Sequence, residues 1–175
     1  EVARVHAAHQ QVELCGFLQF LGREHRGLEV LARHHRPVIG EHNQRGIGSL
    51  HLGCPEGNTS DIDARDLLAI VESSMSSEIY ELMKRPDEQY VVDRAHRRPR
   101  FVEDSVREMI RGALERFPAL PDDAFVHAHQ VNFETIHTHD VEAERSGSVG
   151  EIRQEMRDGT QVARHTTLRA WLDIE

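Results

Sequence analysis

Lys84-Arg85-Pro86-Asp87-Glu88, followed a short way on by Phe101-Val102-Glu103-Asp104, is the stretch on which the reading of the fold turns. Pro86 lacks an N–H and restricts the residue before it, so it is predicted to stop a helix running in from Ile62. Glu88 then falls at the mouth of a β-rich run, Tyr90-Val91-Val92, within a strand expected from Gln89 to Ala95. Arg97 to Arg100 reads as a basic turn, either a solvated patch or a receiver for a triphosphate beside Glu103. A helix is predicted from Val102 to Arg116, with Val102, Val106, Met109, Ile110, Ala113, Leu114 and Phe117 on one face. Glu103 lies in its first turn, where the helix dipole favours a carboxylate. Two carboxylates at the two ends of one strand-like connection are expected to converge on one pocket.

Working outward, residues 1–36 read as mostly helical. Leu14, Phe17, Leu18, Leu21, Leu28 and Leu31 recur at steps of roughly three and four. Pro37 to Gly40 is a break, and a strand is expected from about Ile47 to Leu52. Gly53 to Ser60 is a loop, with Ser60 or Asp61 as the cap of the next helix. That helix carries a broad apolar stripe from Ile62 to Met83, and the serines on either side of Met75 are placed to bend or break it. Beyond the central helix, Pro118 and Pro121 terminate, and a third strand runs from Ala124 to Glu134. Phe125, His127, His129, Val131 and Phe133 share one face of it, the two histidines as cross-strand surface residues. The tail from Ser146 is expected to hold one or two helices and no chemistry. The organisation is a divergent helical segment at 1–36, an α+β core at 37–145 and a tail at 146–175.

The 175 residues suit one domain or a little more, and 38% apolar content is enough for a core. A formal charge of -9 argues against a nucleic-acid surface, yet leaves room for a nucleotide held by a local basic patch. Cys15 and Cys54 make no disulfide framework, which points to a reducing cytoplasm. No apolar run reaches transmembrane length and no signal peptide is visible, so no membrane partner is expected. The chain begins with Glu, and an incomplete N-terminus is expected.

Most of the 13 histidines read as solvated. Two segments stand apart: His42-Asn43-Gln44-Arg45-Gly46, and Glu134-Thr135-Ile136-His137-Thr138-His139. His42 is a plausible ligand position or part of an Asn/Gly turn. Arg45 suits a phosphate through its planar donors or pairs with a nearby acid. His42, Glu88 and His137 offer imidazole and carboxylate donors to a divalent ion with one open position, the arrangement that makes hydroxide near neutral pH.

Three segments, HNQRG (42–46), 76–109 and VNFETIHTHD (131–140), occur in the order found in the type IB GTP cyclohydrolases. The chain resembles that family, including its archaeal branch that makes 7,8-dihydroneopterin 2',3'-cyclic phosphate, over about residues 38–142. The resemblance implies a tunnelling fold (T-fold), in which antiparallel strands and a helix pair assemble into a multi-subunit barrel, with a homo-oligomer, a tetramer, as the expected state. It implies GTP as substrate and a metal-dependent opening of the guanine imidazole ring at C8, with formate released toward pterin and folate synthesis. Residue by residue, it makes His42, Glu88 and His137 the metal ligands and catalytic set. It makes Glu103 the anchor for guanine's ring N–H and amino group, and Glu134 and His139 neighbours of the metal ligands; Arg45 and Glu134 are the further candidates to bind substrate. Fe(II), Mn(II) and Zn(II) all suit such donors. The family carries a Cys-Pro-Cys motif with one cysteine on the metal; here the only upstream cysteine is Cys15, in Leu14-Cys15-Gly16-Phe17, the candidate for that ligand. The alternative is a non-catalytic T-fold subunit that binds a purine or pterin, or an inactive fragment.

Overall fold

A computed structural model describes residues 8–19, 43–55, 62–78, 80, 82–135, 137–160 and 162–172, with backbone alone for 8–19, 43 and 44. Four strands form one antiparallel sheet in the order β1 (Ala8–Gln19), β2 (Asn43–Cys54), β3 (Phe125–Phe133) and β4 (Val141–Ser148). Between β2 and β3 run the helices α1 (Ala64–Ser74), α2 (Arg85–Arg97) and α3 (Val102–Arg116). After β4 come α4 (Val149–Asp158) and the short α5 (Leu168–Trp171). The class is α+β, as expected. Among the described residues no helix is long and apolar enough to cross a membrane.

Side-chain alternation decides which face of the sheet is covered. On β3, Val126, Ala128, Gln130 and Asn132 are buried against the helices, while His127, His129, Val131 and Phe133 point away and are half-buried. Leu50 and Leu52 continue the covered face on β2, opposite Ala128 and Val126. α1 lays Leu67, Ile70 and Val71 on this face, and α3 adds Val106, Met109 and Ala113. Gly48 marks the closest approach: a Cβ there would lie 2.9 Å from Met75 Cε, 2.9 Å from Val71 Cγ1 and 3.0 Å from Gln130 Oε1.

α3 runs over the residues its periodicity predicts. Asp104 accepts from the Phe101 N–H at 3.2 Å, closing its first turn. α1 ends at Ser74, where the serine-rich stretch was expected to break it; Ser74 Oγ donates back to the Ile70 carbonyl at 2.8 Å. Its N-cap is Asp63, whose carboxylate accepts from the Arg65 N–H at 2.9 Å; Ser60 and Asp61 lie outside the described residues.

Three expectations fail. The Gln89–Ala95 segment is not a strand but the body of α2. Pro86 starts that helix rather than stopping the previous one, since a first-turn residue needs no N–H partner, and Asp87 accepts from the Lys84 N–H at 2.9 Å. Residues 8–19 are not helical: they form β1, paired along their length with β2, and cross-strand pairing outweighs the local leucine spacing. The remainder of the 1–36 segment lies outside the described residues. Third, the core does not stop at 145. Residues 141–148 are the edge strand β4, and the tail packs on the same core through Val149 and Ile152.

α5 returns to the opposite sheet face. Trp171 stacks on Phe125 with centroids 5.6 Å apart, lies over Gly53, and donates its indole N–H to the Asp123 carbonyl at 2.6 Å.

Gly48→Ala is expected to destabilise the protein by about 1–3 kcal/mol, because Met75, Val71 and Gln130 are all fully enclosed and have little room to yield. Chemical denaturation of the two proteins measures it, and an unchanged midpoint would show that this seam is loosely packed.

Candidate functional site

Antiparallel pairing gathers two of the sequence-predicted segments at one end of the sheet. β2 begins at Asn43, one residue after His42, and β3 ends at Phe133, next to Glu134. Arg45 is the cross-strand partner of Phe133, and its guanidinium carbon lies 5.9 Å from that ring's centroid. The Glu134 N–H donates to Asp140 Oδ1 at 3.1 Å, closing the connection that carries His137. His137 and His139 are exposed, with ring centroids 5.7 Å apart. His42 itself lies outside the described residues. The backbone of Cys15 sits in β1 opposite Ile47, and its side chain is not described.

Glu88 and Glu103 are separated. Glu88 is exposed in the first turn of α2, at the opposite end of a helix from the basic corner that leads to α3. Glu103 is exposed in the first turn of α3, at the rim of a groove of about 720 Å³ between α3, β4 and α4. Glu88 is not among that groove's lining, so within one chain the two carboxylates do not share it. The reason is the misread α2: a helix rises 1.5 Å per residue where a strand rises about 3.3 Å, and it turns its side chains around an axis. Among the described residues no three His, Cys, Asp or Glu side chains converge to hold a metal ion. Of the expected ligands, only Glu88 and His137 have described side chains.

The groove beside Glu103 has an apolar floor of Val106, Ile110, Ala143 and Ile152, with Met156 at its edge. Its far wall is built by residues that the sequence reading passed over. Arg145 on β4 donates to Glu155 on α4 at 2.6 Å, and their side chains are only 18% and 13% exposed. Burial pushes the Glu155 carboxyl upward, but the Arg145 guanidinium and the Val162 N–H, at 2.8 Å, outweigh it and leave the pKa below the ordinary carboxylate value. Glu151 behaves in the same way. Burial raises it, and the Thr166 hydroxyl at 2.6 Å, with the Ser148 and Thr166 N–H groups, brings it below the ordinary value. The sequence signal for the start of α4, the helix that carries Glu155, was the Ser148–Glu151 capping box, where each residue's side chain accepts from the other's N–H.

The fold and groove define an α+β protein with helices packed on an antiparallel sheet and a carboxylate-rimmed cleft large enough for a nucleotide. A family model described as Type I GTP cyclohydrolase folE2 matches residues 7–143, and the chain belongs to that family. It is 50% identical over 119 residues to the GTP cyclohydrolase MptA of Methanococcus aeolicus, covering 68% of this chain and 38% of that protein. It is 48% identical over 115 residues to GTP cyclohydrolase MptA 1 of Methanocella arvoryzae, covering 66% and 36%. With the MptA of Methanocaldococcus jannaschii the identity is 46% over 119 residues, covering 68% and 37%. The chain thus matches little more than a third of the length of these relatives. The resemblance drawn from the three motifs holds at the level of this family.

Glu155 in the wall of the groove, and Glu151 one turn before it on α4, make a pH-dependent contribution to stability. Both Glu151 and Glu155 have folded pKa values below their unfolded ones, so their contribution is complete above the unfolded carboxylate value and is lost as pH falls through the folded values. Glu155→Gln is expected to flatten the acid limb of a stability–pH profile. Arg145→Ala should cost about 1–3 kcal/mol at neutral pH and far less in acid. Denaturation series across the acid range measure both.

Proposed function

We propose that this chain carries the catalytic region of a metal-dependent GTP cyclohydrolase, which opens the guanine imidazole ring at C8 and releases formate to give a dihydroneopterin phosphate for pterin synthesis. The match of the folE2 family model to residues 7–143 carries this reading, and the GTP cyclohydrolase activity for which the MptA relatives are named supports it. The groove beside Glu103 adds a physical reason. Its apolar floor suits the face of a purine, and a carboxylate with two acceptor oxygens complements guanine's adjacent N–H and amino donors.

His42, Glu88 and His137, with Cys15 as a further candidate, are the residues proposed to hold the metal. Fe(II), Mn(II) and Zn(II) all suit such a mixed set. The ion would supply Lewis-acid activation of water for attack on C8. Arg45 and Glu134, at the sheet end that carries the His137 connection, are proposed to flank the substrate. Since Glu88 stands apart from the Glu103 groove in one chain, the complete site is proposed to form between copies. The sheet supports this: α1 and α3 cover one face, α5 meets only the Phe125 end of the other, and among the described residues β1 and β4 are its edges, as closure into a multi-subunit T-fold barrel requires. A tetramer in the cytoplasm is the expected state, the compartment resting on the two cysteines without a disulfide framework.

GTP-dependent formate release after anaerobic loading with each of the three metals is the direct test, and failure with all three would sink the activity. The two carboxylates should fail differently. Glu88→Gln should lower metal content, an amide being the poorer ligand. Glu103→Gln should keep the metal and weaken GTP roughly 5- to 150-fold, because an amide donor set against guanine's donors costs about 1–3 kcal/mol. Metal analysis beside nucleotide titration separates the roles; equal loss of metal in both variants would refute the division.

A further inference from the structure

Three histidines stand on the sheet face that α1 and α3 leave open. His51 on β2 and His127 on β3 are cross-strand partners, and His129 follows two residues along β3. All three are half-buried. The chemistry proposed above uses none of them. The register that sets His51 opposite His127 is held from the covered face, where the flanking pairs Leu50–Ala128 and Leu52–Val126 are buried.

Spacing separates the three rings. A tetrahedral ion that takes one nitrogen from each of two imidazoles, at about 2.0–2.1 Å, holds the ring centroids roughly 5 Å apart. His51 and His127 stand at 5.2 Å, with their planes tilted by 34°. His127 and His129 are 6.4 Å apart, and the residue across from His129 is Ser49, which offers no imidazole. Carboxylates approach from β4. Glu144 lies 3.5 Å from His127 Nε2 and Glu142 lies 3.4 Å from His129 Nε2, and both carboxylate side chains are 74% exposed. A carboxylate at one ring nitrogen fixes the orientation of an imidazole and makes it a more basic ligand. For His127 that leaves Nδ1 to face an ion.

We infer that His51 and His127 form a bidentate site for a divalent cation of the zinc class, a clasp between the two central strands, with Glu144 orienting His127. Among the described residues no third His, Cys, Asp or Glu converges with the two rings, so solvent completes the coordination. Imidazole donors favour zinc, copper and nickel over magnesium and calcium, which take oxygen ligands. The site is distinct from the proposed catalytic set, since His127 lies near the start of β3 and the His137 connection leaves from its end. It owes nothing to the proposed reaction. β2 and β3 are far apart along the chain, so only the folded sheet brings the two rings together, and an ion bound there favours the folded state.

Calorimetric titration of the full 175-residue chain with zinc, beside metal analysis after dialysis, tests this. The parent should bind a zinc ion that His51→Gln and His127→Gln each lose. Glu144→Gln should weaken that ion roughly 10- to 100-fold. His129→Gln, on the same face, should leave it unchanged. Zinc should also raise the thermal midpoint of the parent and of His129→Gln, but not of the His51 or His127 variant. Glu144 is largely exposed, so its variant keeps the test alive if a histidine variant fails to fold in circular dichroism. Zinc lost in Glu88→Gln and His137→Gln but kept in His51→Gln and His127→Gln occupies the proposed catalytic set alone, and overturns the inference. So does a parent that binds no zinc, or a loss as large in His129→Gln as in the other two. Zinc lost in the His51 and His127 variants alone upholds the clasp, whatever becomes of formate release.

Discussion

Leu50, Val126, Ala128, Leu67, Val71 and Met109 are shut away from water where α1 and α3 lie on β2 and β3, and the rest of the molecule is arranged by keeping that seam dry. The contact is close enough that one strand position, Gly48, carries no side chain at all. Fixing α3 on β3 fixes where its first turn emerges, and so where Glu103 and the arginine corner stand. Fixing the β2–β3 register brings Arg45 to Phe133 and the start of β2 to the end of β3. The site residues are thus placed by a buried surface in which none of them takes part.

The same seam explains what could be read from the sequence. α3 was legible because Val102, Val106, Met109, Ile110, Ala113 and Leu114 all bury, so the helical period is a direct image of the packing. β3 was legible through its strict alternation. α2 was not, because it packs lightly: only Val91 and Ala95 are buried, and two buried positions in thirteen leave no period to find. What remained was the strand-like composition of Tyr90-Val91-Val92, and it outvoted the true signals, Pro86 and the acids at Asp87 and Glu88. β1 was misread for a different reason. Its pairing partner lies far along the chain, and leucine spacing carries no record of that.

For the site, Glu103 was placed correctly in a helical first turn because capping is local chemistry. That it would face Arg145 and Glu155 was not legible, since β4 has a weak alternation and its contribution depends on the sheet order. Glu88 shows the converse error. A correct motif was given the wrong local structure, and the distance between two carboxylates followed from that structure alone.

The pairing of Leu50 with Ala128 has a consequence for how the chain reaches this state. All three long helices are strung between the two central strands, so the middle of the sheet closes a large loop. Closing it costs chain entropy that only later contacts return, and such non-local topologies fold slowly. The helices, whose contacts are near in sequence, have no such delay. Until that loop closes, β2 is open along the side that β3 will take. Its unsatisfied N–H and C=O groups then offer a template to any neighbouring strand. Closure of the β2–β3 seam is thus also what withdraws that template from other copies of the chain.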